Sequence, residues 1–484
     1  MSNRWRVKAV ADLLPDAEHA GGLRRSLGPF QLMALGIGAI VGSGIFATVG
    51  DAAAGSADHL GAGPAVTLSF VLTAIACGFA ALCYAEFAAM VPIAGSAYTY
   101  AYATFGELVA WIIGWDLLIE YGVGNVAVAI SWSEYFQNLL RSMGVNVPAW
   151  LGTDFRSASD SVRVAAPHVL GIPMIFNLPA FGIVMLITWL LARGVKESVG
   201  FNSVVVVLKL GLLAVVVFIG AFHLSPSNWT PFAPHGAAGI SQAAARIFFA
   251  YIGFDAISTA SEETKNPQRD MPLAMLGSLA VCTVIYVAVA LVLTGMVPYG
   301  QLGTADPMAS AFEAVGMPKV AAFISVGAVV ALTSVLVVFQ MGQTRIFMSM
   351  SRDGLLPAWC GRLHPVHRTP NLITWVTGLV VALFAGVANI GEITDLTNIG
   401  TLFAFVLVAI GIVVMRRTQP NLRRAFRAPW VPLVPILAVL SCGYLMMQLP
   451  KLTWIRFVVW LAVGLVLYFC YGKRRSHLSP THVG

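Results

Sequence analysis

Long apolar runs alternate with short polar connections along almost the whole chain. They fall at 30–50, 65–91, 107–140, 179–193, 200–222, 239–262, 272–297, 318–348, 371–390, 398–415, 430–448 and 453–471. A helix needs about 20 apolar residues to cross the hydrocarbon of a bilayer, so the pattern predicts an all-α membrane protein with twelve transmembrane helices. The fourth run is the shortest fit. The spans make one domain at 29–472, between a polar tail at 1–28 and a short one at 473–484.

Two runs are poor helices for their depth. Gly36, Gly38, Gly42 and Gly44 crowd the first, and glycine costs about 1 kcal/mol per helical site relative to alanine. The sixth contains Phe248-Phe249-Ala250-Tyr251-Ile252-Gly253-Phe254-Asp255, an aromatic stretch broken by glycine and followed by an acid. Unwound backbone at membrane depth is tolerated only where it is buried in protein or lines a cavity. One glycine cluster alone reads as a packing surface. Interruptions at matching positions of two halves instead point to a transporter site at an inverted-repeat interface. The chain then divides as five plus five helices with two extra, the first and sixth discontinuous.

Composition narrows the class. Hydrophobic residues make up 58% and charged residues 11%, with mean hydropathy +0.80, where soluble domains carry about 25% charge. The net charge of +7 does not signal nucleic acid, because the basic residues gather in alternate connections. Arg4, Arg6, Lys8, Arg24 and Arg25 precede the first run, Arg416 and Arg417 follow the tenth, and Lys473, Arg474 and Arg475 follow the last. That asymmetry places both termini in the cytoplasm of a cell-membrane protein. No early apolar core precedes a cleavage site, so no removable signal peptide is expected. The cysteines lack metal-ligand spacing. No nucleophile has a plausible base, so an enzyme is not expected.

Several motifs then coincide: Gly42-Ser43-Gly44-Ile45-Phe46, Phe249 through Asp255, Glu262-Glu263 with Asn266-Pro267 and Pro272, and Met350-Ser351-Arg352-Asp353-Gly354-Leu355-Leu356-Pro357. With them the sequence resembles the amino acid–polyamine–organocation transporter superfamily, most closely its cationic amino acid transporter-like branch, from about Leu27 to Arg417. The resemblance implies the same five-plus-five inverted repeat and secondary active amino acid transport by alternating access.

An amino acid zwitterion needs an anion site and a cation site side by side, and the two ends of a broken helix offer both. The amides around Ser43, Gly44 and Ile45 are expected to receive the carboxylate, and the carbonyls of Ile40, Phe249 and Ile252 the ammonium. These positions match the family's ligand-contacting backbone. The alternative for Ser43 is a bond back to a carbonyl one turn earlier. Lys209 lies in mid-membrane, where an ionisable group is a functional hypothesis. It resembles the lysine that replaces sodium in proton-coupled family members, which implies proton coupling. Its alternative role is a structural cation held by carbonyls.

Asp116 and Glu120 share a helix face, and Glu120 matches an acid beside the pocket in this branch. Glu120 is expected to meet a basic side chain, the ammonium or a proton, or else to bond only backbone. Asp255 is expected to cap the second half-helix or touch ligand. Phe254 is a candidate gate, and Thr333 with Ser334 is expected to complete the side-chain pocket. Arg246 is expected to snorkel to the outer surface, and Glu86, Glu262 and Glu263 to be inner-gate or topology residues.

The expected function is therefore a proton-coupled permease for a free L-amino acid, cationic or small neutral. The lipid bilayer is its only required partner, and it needs no cofactor beyond the proton. An exchanger of amino acids or polyamines is the runner-up, although polyamines lack a carboxylate for the Ser43 site. A non-transporting sensor is weaker, since neither tail has room for a signalling domain.

Overall fold

A computed structural model describes residues 27–476 except 57–58, 91–95, 170, 195–198, 259–263, 366–368, 423 and 425. Glu262 and Glu263 lie outside the described residues, as do most of both tails.

Helix α1 (Pro29–Ile40) starts on a proline at its first turn, where the missing N–H costs nothing. It stops at Val41, and the chain resumes as a wide π-helical turn, Gly44–Thr48, leading into α2 (Val49–Ala54). The two halves are bent by 43°. Then follow α3 (Val66–Met90), α4 (Ser96–Thr104), α5 (Glu107–Ser142), α6 (Leu178–Ala192), α7 (Val199–Gly220) and α8 (Gly236–Ile247). A tight turn at Phe248–Tyr251 ends α8. The rest is α9 (Pro267–Met296), α10 (Pro318–Arg352), α11 (Asn371–Val387), α12 (Ile390–Thr418), α13 (Leu433–Met447) and α14 (Lys451–Leu467). The strands His168–Val169 and Ile172–Pro173 pair within the α5–α6 connection.

Among the described residues, nine spans are long and apolar enough to cross a membrane, counting α1 and α2 as one. The shorter apolar helices α6, α11 and α13 stand where the other three runs fall. Pro272 does not open the seventh helix. That helix starts at Pro267, and Pro272 lies inside its second turn. The tenth starts at Ile390, well before the apolar run begins, because Asn389 accepts from the amides of Gly391 and Glu392 and caps it.

Small residues set the closest helix contacts, as expected where lipid provides no hydrophobic drive. A Cβ on Gly342 of α10 would meet the Tyr121 ring of α5 at 2.5 Å, and one on Gly122 of α5 would meet the Gln343 amide at 2.6 Å. Helix α14 docks by aromatic stacking instead: Trp115 lies on Trp460 with centroids 4.4 Å apart, and its indole N–H donates to the Trp460 carbonyl at 2.9 Å.

Candidate functional site

The two interrupted helices run antiparallel, backbone against backbone. A Cβ on Gly36 would lie 2.4 Å from the Ile257 side chain, one on Gly253 would lie 2.9 Å from the Ala39 carbonyl carbon, and one on Gly44 would lie 2.2 Å from the Ala250 Cα. Further along the same line Asp51 meets Arg246 at 2.5 Å. As numbers rise on the first segment they fall on the second. Gly253 has φ +119°, a region that side-chain-bearing residues rarely enter. The glycines thus do two jobs: they break the helices and let the broken parts touch.

Each break strands polar groups, because the first amides and last carbonyls of a helix have no partner within it. The Ile45 and Phe46 amides both reach back to the Gly42 carbonyl, at 3.2 and 3.3 Å. The amides of Gly42, Ser43 and Gly44 have no acceptor among the described residues. The Ser43 hydroxyl is buried and also unpartnered, so it does not bond back one turn. Four donors therefore surround one point, three of them backbone. Of the expected carboxylate donors, Ser43 and Gly44 are open and Ile45 is engaged.

The carbonyl side is better filled. Lys209 is buried on α7 and donates its ammonium to the carbonyls of Gly38 (2.8 Å) and Val41 (3.1 Å). It thus occupies the negative end of α1. Tyr286 on α9 donates its hydroxyl to the Ile40 carbonyl at 3.0 Å. The Phe249 carbonyl takes a long bond of 3.4 Å from the Ile252 amide. A carbonyl oxygen has two lone pairs, so Ile40 and Phe249 retain acceptor capacity.

The two sides of the break are closed differently. On the side of α2, Arg246 is 8% exposed and does not snorkel. Its guanidinium bridges Asp51 at 2.5 Å and Asp395 at 3.2 Å, because two acids within reach satisfy it better than a climb to the surface would. The Asn398 amide holds the Ala245 and Arg246 carbonyls at 2.9 and 3.0 Å. On the opposite side, Phe254 is fully buried between Tyr84 and Phe405, at centroid distances of 6.0 and 5.1 Å. Beyond that aromatic cluster, Glu86 accepts from Arg416 (3.0 and 2.6 Å) and the Ala428 amide (2.8 Å) and lies 3.4 Å from Arg424. It ties α3 to the α12–α13 connection.

Asp116, Glu120 and Asp255 are all buried and form one group close enough for their charges to interact, with Thr401 beside Glu120. One Asp116 oxygen would lie 2.7 Å from a Cβ on Gly400. On α10 the Thr333 hydroxyl accepts from the Trp132 indole at 2.9 Å and donates to the Val329 carbonyl at 2.7 Å. Ser334 donates to the Ala331 carbonyl at 3.0 Å. The α10 side chain that meets Gly42 is Val335, 3.3 Å from its would-be Cβ, so the wall beside the break is aliphatic there. Asp51, Asp395 and Tyr286 are the residues that sequence reasoning misses. An arginine inside an apolar run signals that acids must be near it, without saying which.

A sequence profile described as "Amino acid permease" matches residues 27–469. Among curated relatives, the chain is 46% identical over 477 residues to the branched-chain amino acid permease BcaP of Bacillus subtilis (strain 168), covering 98% of this chain and 99% of the relative. It is 45% identical over 479 residues to the methylthioribose transporter of the same organism, covering 99% and 100%. It is also 35% identical over 428 residues to the chloroplastic cationic amino acid transporter 9 of Arabidopsis thaliana, covering 87% and 72%.

Proposed function

The chain belongs to the amino acid permease family, a membrane transporter and not an enzyme, and from that premise we propose that it takes up a free aliphatic L-amino acid by proton-coupled alternating access. The observation that carries this reading is the group of unpartnered donors at the first break: the amides of Gly42, Ser43 and Gly44 and the Ser43 hydroxyl. Buried donors without acceptors cost about 1–3 kcal/mol each, a cost that a bound carboxylate removes. The carbonyls of Ile40, Phe249 and Ile252 then face the ammonium. Val335 and Ile45 favour an aliphatic side chain, in line with the branched-chain permease among the relatives.

Twelve spans fit this reading, as nine long helices and three short ones, with both termini cytoplasmic. The Arg246–Asp51–Asp395 bridge is then the outer closure of the pathway, and the packing of Phe254 on Tyr84 and Phe405 the inner one. Lys209 provides the coupling. Charged, it holds α1 by Gly38 and Val41; on losing its proton it holds them weakly, and α1 is released to move. Asp116, Glu120 and Asp255 sit within the same core as a second possible resting place for a proton. Thr333 and Ser334 shape the pocket through backbone and Trp132 contacts rather than by offering hydroxyls to ligand.

The methylthioribose transporter supports a second reading, a neutral thio-sugar cargo. Such a cargo has neither carboxylate nor ammonium and would meet the donors at Ser43 with hydroxyls alone. Thermal stabilisation of the purified protein by leucine, arginine and methylthioribose separates these cases. Stabilisation by leucine is expected. Stabilisation by methylthioribose alone would overturn the zwitterion site, and stabilisation by arginine alone would overturn the aliphatic pocket.

A further inference from the structure

A cavity of about 280 Å³ lies on the Asp51 side of the break, beneath the α13–α14 connection. It is separate from the groups at Ser43. Arg246 lines its floor and Lys451 its rim, with Gln242 and His59 on one wall and Met447 and Leu449 on the other. Three observations give it a chemistry.

First, although Arg246 is more than nine-tenths buried and bridged to two aspartates, its Nε–H has no partner. Second, Lys451 is exposed and forms no ion pair among the described residues. The acids nearby are taken: Asp51 and Asp395 by Arg246, and Glu392 by Arg156 and Arg456. Third, Gln242 spends its oxygen on the Leu60 amide at 2.8 Å, so only its N–H donors remain. His59 is engaged through both ring nitrogens, with Ser56 at 2.6 Å and the Asp51 carbonyl at 3.2 Å. The polar wall therefore offers donors only, and the facing wall is apolar.

We infer that this cavity is a second binding site, which takes a small carboxylate with an aliphatic tail: the carboxylate on Arg246 Nε, Gln242 and Lys451, the tail on Met447 and Leu449. The cavity suits a small carboxylate better than a lipid phosphate. The charges of Arg246, Lys451, Asp51 and Asp395 cancel, and a larger anionic charge would set the site further out of balance. Its occupant packs against the residue that closes the pathway, so binding there bears directly on the Arg246 bridge. The inference rests on the transport reading only for the natural occupant, which would then be the transported amino acid.

The probe is 4-methylpentanoate, which lacks the ammonium that the carbonyl side of the central site requires. Radiolabelled probe is titrated onto the intact protein in phosphatidylcholine nanodiscs, as wild type, Met447→Trp and Lys451→Gln. Both substitutions fall at exposed positions, where folding is insensitive to them. One saturable site is expected in the wild type. Met447→Trp, which fills the cavity, is expected to abolish it, and Lys451→Gln to weaken it about tenfold, the usual worth of a charge-assisted hydrogen bond. No saturable binding in the wild type, as when lipid fills the cavity, overturns the inference, and so does binding that Met447→Trp leaves unchanged. Leucine uptake without probe binding defeats this site and spares the transport reading. Probe binding lost in Met447→Trp, in a protein that transports no amino acid, does the reverse.

Discussion

Glycine at position 44 and glycine at position 78 make a sharp contrast at the scale of one residue. A Cβ on Gly44 would sit 2.2 Å from backbone of Ala250, whereas one on Gly78 meets nothing within 4 Å. Gly44→Ala is therefore expected to part the two broken helices and remove substrate binding. Gly78→Ala is expected to keep binding and gain up to about 1 kcal/mol of helix stability. Ligand titration and melting curves of the two variants check both, and wild-type affinity in Gly44→Ala would contradict the close packing. Lys209→Ala is expected to leave measurable binding but to flatten the dependence of uptake on external pH, read from initial rates across a pH series. Gly42, Ser43, Gly44, Gly253 and Lys209 are legible in the sequence because each is chemically out of place in an apolar run. The role of Arg246 is not: its partners Asp51 and Asp395 lie 195 and 149 positions away, and nothing local separates a snorkelling arginine from a bridged one.

Among elements, hydropathy places the spans closely, since the membrane sets one length for all of them. It fails where polar chemistry overrides apolarity. Helix α12 extends through Asp395 and Asn398 to its cap at Asn389, because those polar side chains find partners on α8. The helix α4 between the second and third runs has too few apolar residues to register as a span. The junction at Glu86 shows how elements are tied without apolar contact. Glu86→Gln would leave Arg424 beside a neutral partner, with only 4% of its side chain exposed. Losing one member of a buried pair costs about 3–5 kcal/mol, so a lower melting temperature is expected, with Glu86→Asp recovering part of it. A melting temperature unchanged in Glu86→Gln would show that α3 is held to the α12–α13 connection by packing alone. Arg246→Ala likewise strands Asp395, 4% exposed. It is expected to loosen that side of the break, which faster labelling of a cysteine placed at Gln242 would report.

For the whole molecule, the antiparallel register of the two broken segments joins these parts. It sets donors without acceptors beside carbonyls, with Lys209 at the end of α1 and one closure on either side. The backbone half of the site could be read from glycine spacing alone. The side-chain half could not, because Val335, Tyr286 and Asp395 reach the break through tertiary packing. The most direct test of proton-coupled transport is uptake of labelled leucine into proteoliposomes that hold no amino acid, acidic outside and neutral within. Accumulation above the external concentration, abolished by a protonophore, is the result expected. Uptake only into vesicles preloaded with amino acid, at a rate the protonophore does not change, would contradict it.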